Sequence, residues 1–179
     1  SFSVDALSSA ADSETAIAPT LKDNFFAYDD MWVGREALTE TLLAKLRGAC
    51  RLLLLAGISG VGKTALGERL ALSLSSERQL IRENFDNQDQ STDFGSFAAR
   101  LLEKCGQSVT AEERQEPQQL GRRLAEHLKV PPYLLVIDAW EKILSGDETG
   151  QSTFQDEGYL LWLQQIISSE ACESRLIIT

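Results

Sequence analysis

From Arg35 onward leucines recur every four residues, at Leu38, Leu42 and Leu46, and Gly48 follows. That spacing predicts an amphipathic helix stopped by glycine. The next stretch, RLLLLA at 51–56, abandons the helical period for four consecutive leucines. An unbroken apolar run of that length predicts a strand covered on both faces, the pattern of a parallel sheet. YLLVID at 133–138, after Pro131-Pro132, and RLIIT at 175–179 repeat it, and QLIRENF at 79–85 is a weaker candidate. Between these strands the helical period returns. Leu66, Leu70 and Leu74 form one stripe, and Phe94, Phe97, Ala98, Leu101, Leu102 and Cys105 a second. Leu120, Leu124 and Leu128 follow Pro117, and Tyr159, Leu160, Leu163, Ile166 and Ile167 close the series. Strands alternating with helices predict an α/β fold with a parallel sheet. The polar stretch NQDQSTD at 87–93 reads as a loop.

Composition adds bounds to this frame. The chain has 179 residues, 43% hydrophobic and 25% charged, ordinary for one globular domain. Its opening, SFSVDALSSAADSETAIAPT, is rich in Ser, Ala, Asp and Thr, so residues 1–24 are expected to be a flexible linker and 25–179 the domain. With 17 Lys and Arg against 27 Asp and Glu the net charge is -10, which argues against a nucleic-acid partner. Cys50, Cys105 and Cys172 are odd in number and in no CxxC spacing, so neither a disulfide framework nor a zinc site is expected. No apolar run approaches the roughly 18 residues that span a bilayer, and no signal pattern opens the chain. The expected setting is cytoplasmic, without a membrane partner.

Candidate chemistry begins at GISGVGKT, residues 57–64, directly after the first strand run and before the second helical stripe. This is G-x-x-x-x-G-K-[ST] in a strand–turn–helix context, the phosphate-loop pattern. A triphosphate needs many donors aimed at one small anionic volume, and backbone N–H groups of a glycine-rich turn can crowd that closely. The nucleotide-facing set is Gly57, Ser59, Gly60, Val61, Gly62, Lys63, Thr64 and Ala65. The helix N-terminus adds partial positive charge, Lys63 reaches the β- and γ-phosphates, and the Thr64 hydroxyl is the first Mg²⁺ ligand. A second metal ligand is expected where a neighbouring buried strand ends. LLVIDAWE at 134–141 supplies Asp138 there, and Glu141, three residues on, is the candidate base that polarises the attacking water. Capping of the next turn is the alternative role for Glu141.

With MWVGRE at 31–36, the phosphate loop, DAWE and the SRLIIT ending, the chain resembles the STAND class of P-loop NTPases, near its NB-ARC and NACHT members. The resemblance covers residues 31–179 and implies a three-layer P-loop fold. Counting the four main strands in chain order, the expected sheet order is 2-3-1-4. The family's fifth strand is expected to lie beyond Thr179, leaving RLIIT at an open edge. In that class a hydrophobic-hydrophobic-Gly-Arg-Glu segment cradles the adenine, which here falls on Trp32, Val33, Gly34, Arg35 and Glu36. The strand ending in Thr179 leads toward a region that senses the γ-phosphate. NB-ARC members more often carry two adjacent Asp at the metal strand, and Ala139 departs from that form. The resemblance implies ATP or ADP and Mg²⁺ as cofactors. It also implies slow hydrolysis coupled to a switch, neighbouring domains of a longer chain as partners, and self-association of the full protein.

The rival reading is a nucleotide-holding oligomerisation module without turnover; a small-molecule kinase ranks third, having no arginine-rich lid segment and no acceptor-positioning acid. A GTPase is disfavoured because no NKxD occurs and position 141, where DxxG after the strand would place glycine, is Glu, and a transporter ATPase by the lack of LSGGQ. Several residues have plainer expected roles. His127 packs on a helix flank, Trp140 packs under the sheet edge, and Trp32 is packing with adenine stacking as the alternative. SGDETG at 145–150 reads as a solvated turn.

Overall fold

The computed structural model describes residues 34–58, 60–146 and 152–179. Helix α1, Glu36–Arg47, precedes strand β1, Leu52–Leu54, and α2, Lys63–Leu74, leads to β2, Gln79–Asn84. Helices α3, Phe94–Lys104, and α4, Pro117–His127, come before β3, Tyr133–Asp138. A 3-10 turn at Trp140–Ile143 opens onto a short hairpin, β4, Leu144–Gly146, with β5, Ser152–Phe154. Helix α5, Glu157–Ser168, and β6, Arg175–Ile178, complete the described chain. Among the described residues no helix is long and apolar enough to cross a membrane.

Strands β1, β6, β3 and β2 form one parallel sheet in that order. The expected order 2-3-1-4 is therefore corrected to 2-3-4-1: the last strand lies inside the sheet, between the first and the third. The open edge moves with it. Every residue of β6 is buried and the strand is hydrogen-bonded on both sides, whereas β1 is an edge strand with Leu54 59% exposed. Both segments are unbroken apolar runs, so apolar content alone does not rank their neighbours. The β1–β6 hydrogen bonds continue one residue past each end of β1, with Leu176 N–H to Arg51 O at 2.8 Å and Leu55 N–H to Ile178 O at 2.8 Å.

Alternation along each strand divides two cores. Leu134, Val136 and Ile177 pack with Leu46 of α1 and Leu66, Leu70 and Leu74 of α2. Tyr133, Leu135, Ile137, Leu176 and Ile178 face the other way, onto α3, α4 and α5. A sheet covered on both faces explains why β3 and β6 contain no polar alternation. The helical stripes are placed as expected on α2, α3 and α4, with two adjustments elsewhere. Leu38 of α1 is 46% exposed, and on α5 Trp162 is buried while Leu160 and Ile167 stand 44% and 47% exposed. Trp140 packs among Phe85, Phe154 and Tyr159, and His127 Nε2 meets Tyr133 Oη at 3.0 Å, so both take the plain packing roles. Ser145 and Gly146, expected in a turn, pair with Thr153 and Ser152 in the hairpin ladder; residues 147–150 of that stretch lie outside the described residues.

Two local contacts tie helices down on the two faces of the sheet. Arg175, buried in β6, donates to Leu46 O at 2.9 Å and Gly48 O at 2.8 Å, so the carbonyls ending α1 are satisfied by a side chain. Burial, the largest cause, holds its guanidinium below the usual arginine range. On the opposite face Phe94 is wedged between Gly121 of α4 and Gly158 of α5. A Cβ at Gly158 would lie 2.4 Å from Phe94 Cδ1, and one at Gly121 would lie 2.8 Å from Phe94 Cε1.

The substitution Gly158→Ala sets a helix-propensity gain of at most about 1 kcal/mol against an overpacking cost of about 1–3 kcal/mol. A contact of 2.4 Å against a fully packed ring makes the steric cost win. Urea unfolding should therefore show Gly158→Ala destabilised, and by more than Gly121→Ala.

Candidate functional site

The turn after β1 reaches its helix through two glycines with positive φ, Gly60 at +78° and Gly62 at +88°. An L-residue in that region costs roughly 1–2 kcal/mol, so glycine is required where the loop bends into α2. Gly62 immediately precedes Lys63, the first residue of α2, and its carbonyl accepts Leu66 N–H at 3.0 Å. Lys63 Nζ donates back to Gly57 O at 2.9 Å and Ile58 O at 3.1 Å, which places the ammonium within the curve of the loop. Val61 turns its side chain toward Gly57, where an added Cβ would meet Val61 Cγ1 at 3.2 Å.

Arg35 joins the loop from another element. Gly34 takes φ +86° and its N–H bonds Glu36 Oε1 at 3.3 Å, so the chain enters α1 with Arg35 directed at the loop. Arg35 Nη2 donates to Val61 O at 2.9 Å. Of the expected adenine segment, Arg35 thus reaches the loop and Gly34 precedes it without a contact there among the described residues; Trp32 and Val33 lie outside the described residues, as does Ser59.

The centre of the site is one oxygen. Asp138 Oδ1, at the end of β3, accepts Thr64 Oγ1–H at 3.3 Å, Ala139 N–H at 3.0 Å, and the hydroxyl of Thr179. Three elements meet there: the start of α2, the end of β3 and the end of β6. Their approach depends on Gly67, where an added Cβ would lie 3.1 Å from Thr179 Cγ2. Among the described residues Asp138 Oδ2 has no hydrogen-bond partner. A carboxylate oxygen left open beside an alcohol and a helix N-terminus fits Mg²⁺, which takes one or two protein oxygens and fills its remaining positions with phosphate and water. Consistent with that division, no group of three or more His, Cys, Asp or Glu among the described residues is arranged to hold a metal alone.

After Asp138 the chain turns sharply. Ala139 adopts φ 58°, ψ 40°, a left-handed conformation for a residue with a Cβ, and the following 3-10 turn carries Glu141 at the rim. Lys63, Thr64, Asp86, Asp138, Glu141 and Thr179 all line one cleft of about 450 Å³. Gly60, Gly62 and Ala65 complete its loop side.

Some residues here were not singled out from the sequence. Asp86, just beyond β2, pairs with Lys142 at 3.3 Å and is a further carboxylate of the cleft. Glu68 is buried beside Thr64 and ion-paired with Arg82 of β2. Glu83 is buried as well, held by Arg100 at 2.8 Å and Lys104 at 2.5 Å. Glu68 had a readable signal, since it follows Thr64 by four residues and shares its helix face. Asp86 had none, because the polar run after β2 resembles any loop.

A family model described as an AAA ATPase domain matches residues 31–178. No curated protein matches the chain.

Lys63→Ala removes the one side-chain cation held inside the loop. Calorimetric titration with ATP and with ADP should show affinity falling by well over tenfold, more than about 1.4 kcal/mol, for both ligands. Parental affinity in the variant would overturn the phosphate-loop assignment.

Proposed function

The chain belongs to the AAA ATPase domain family, and from that premise we propose that it binds ATP and ADP with Mg²⁺ and hydrolyses ATP slowly as a nucleotide-dependent switch. The observation that carries this reading is the meeting of Thr64, Asp138 and Thr179 at the N-terminus of α2, directly beside Lys63. That is the donor and ligand set a phosphate-bound Mg²⁺ requires. The family membership makes the chain a P-loop NTPase-type domain. We assign it more finely to the STAND class, with NB-ARC and NACHT domains as its nearest shapes. Support comes from Arg35 of the Gly-Arg-Glu segment, which reaches the phosphate loop through Val61 O. A cytoplasmic signalling protein with further domains is the setting this class implies.

In this mechanism the loop N–H groups and Lys63 bind the β- and γ-phosphates, and α2 adds its N-terminal partial charge. Thr64 Oγ1 and Asp138 are the residues that would hold Mg²⁺, and the ion would neutralise charge on the phosphates. Thr179 and Ala139 N–H fix the orientation of Asp138 by occupying Oδ1, leaving Oδ2 open. Glu141 has no ion-pair partner among the described residues, unlike Glu68 and Asp86, which also line the cleft. It is therefore the carboxylate available to accept a proton from water.

One observation favours the alternative of nucleotide holding without turnover. The position directly after Asp138 is Ala139, and Glu141 stands on the exposed rim. The two readings part at a single residue. Glu141→Gln should leave Mg-ATP affinity within about twofold while phosphate release falls by about 10²-fold or more, the usual scale for losing a general base. Unchanged release in the variant would overturn the base assignment, whereas a parent protein that releases no phosphate would support the holding module.

A further inference from the structure

Strand β2 presents alternate residues to the two faces of the sheet. Ile81 and Phe85 enter the core under α3, whereas Leu80 packs on the α2 side, and Arg82 and Asn84 share that side by alternation. Register fixes how far along they lie. Arg82 is paired with Val136 and Asn84 with Asp138, so Arg82 stands one strand over and two residues back from the Asp138 carboxylate, on the same face. From above, α2 places Glu68 one turn beyond Thr64. Glu68 and Arg82 close on each other in an ion pair whose carboxylate is almost wholly buried.

That pair borders a second cleft, of about 490 Å³, which shares Thr64, Glu68, Asp138 and Thr179 with the first. The guanidinium therefore lines the same cleft as the oxygen cluster, on the side away from the phosphate loop. Charge explains why a cation is useful there. The first cleft is lined by the carboxylates of Glu68, Asp86, Asp138 and Glu141 against the single ammonium of Lys63. A diphosphate held by the loop lies close to Lys63. On the nucleotide-binding reading a third phosphate would enter the part of the cleft lined by Asp138 and Glu141, and its added negative charge would need a cation on that side.

Besides Lys63, three cations are near among the described residues, Arg82, Lys104 and Lys142, and Lys104 is committed to Glu83 and to Arg82 O. Lys142 is in an exposed pair with Asp86, a kind of contact that holds a side chain weakly. Arg82 is anchored by a buried acid, and a planar guanidinium with five N–H donors can keep one edge on Glu68 while another meets a phosphate oxygen. On the nucleotide-binding reading above, we propose that Arg82 is a terminal-phosphate contact that distinguishes ATP from ADP, with Glu68 as its positioning residue. A ligand shifts a two-state equilibrium only through differential affinity, and this contact would supply it within the domain.

The test measures binding rather than turnover, using ADP and the β,γ-imido analogue of ATP with Mg²⁺ in calorimetry. In the parent the analogue should bind more tightly than ADP. Arg82→Ala should weaken the analogue by about tenfold or more, as for loss of a charge-assisted contact, while ADP affinity changes by less than about twofold. Arg82→Lys keeps the charge without the fork and should give an intermediate ratio; should Arg82→Ala fail to fold, this variant decides. Glu68→Gln should lower the preference for the analogue without abolishing ADP binding. Equal losses for both ligands, or an unchanged ratio together with a lowered melting temperature, would make Arg82 a structural partner of Glu68 and overturn the proposal. A parent that binds both ligands equally would also overturn it, with the nucleotide site intact. A parent that binds neither would bring down the nucleotide-binding reading itself.

Discussion

A single carboxylate oxygen, Asp138 Oδ1, holds the functional end of this fold together. It gathers the Thr64 hydroxyl from the helix that starts the site, the Thr179 hydroxyl from the adjacent strand, and the amide of its own successor. Hydrogen bonds to a charged acceptor contribute more than neutral ones, and this acceptor sits at the shared end of two buried strands. The backbone repeats the tie, with Thr179 N–H on Ile137 O at 3.0 Å and Trp140 N–H on Thr179 O at 3.2 Å. Sheet order is what makes the arrangement possible. With β6 lying between β1 and β3, the loop that follows β1, Thr179 and Asp138 come out side by side at one edge.

The strands and helices were legible because both obey simple periods. Helices α2, α3 and α4 each bury the stripe that the sequence spells out, and β3 is apolar to the residue before Asp138. The order of strands was not legible. RLLLLA and RLIIT look equally suited to a central position, and only tertiary hydrogen bonding shows that β6 is flanked on both sides. On α5 a tryptophan displaced two aliphatics from the core, since burying Trp162 against Phe97 orients the helix differently from the stripe of Leu160 and Ile167. The short hairpin was hidden because three-residue strands carry no period to count.

Within the site the same contrast applies. The phosphate loop and Asp138 could be read because their chemistry demands fixed residue types at fixed spacing. Arg82 and Asp86 could not be read that way, for they acquire meaning only when the register of β2 on β3 sets them near Asp138, and Glu68, legible on the helix face of Thr64, gains its partner only there. Polar residues on an edge strand ordinarily face water. Here Arg82 and Glu83 point to opposite faces, and each finds a counter-charge on the helix that covers it.

Those two pairs show how an acidic chain buries carboxylates beside its candidate site. Leaving Glu68 or Glu83 buried and unpaired would cost several kcal/mol, so each needs its cation in the folded state whatever the site holds. The pairs differ in position. Glu83 lies on the far face and takes both Arg100 and Lys104, which ties β2 to α3. Glu68 lies on the near face, on the same helix that carries Lys63 and Thr64, and takes Arg82. On the reading proposed above, a phosphate beside Asp138 would meet a guanidinium whose position is already set by a structural requirement, so little ordering entropy would be lost in a further contact. In this fold the neutralisation of a buried acid and the preorganisation of the site are the same interaction.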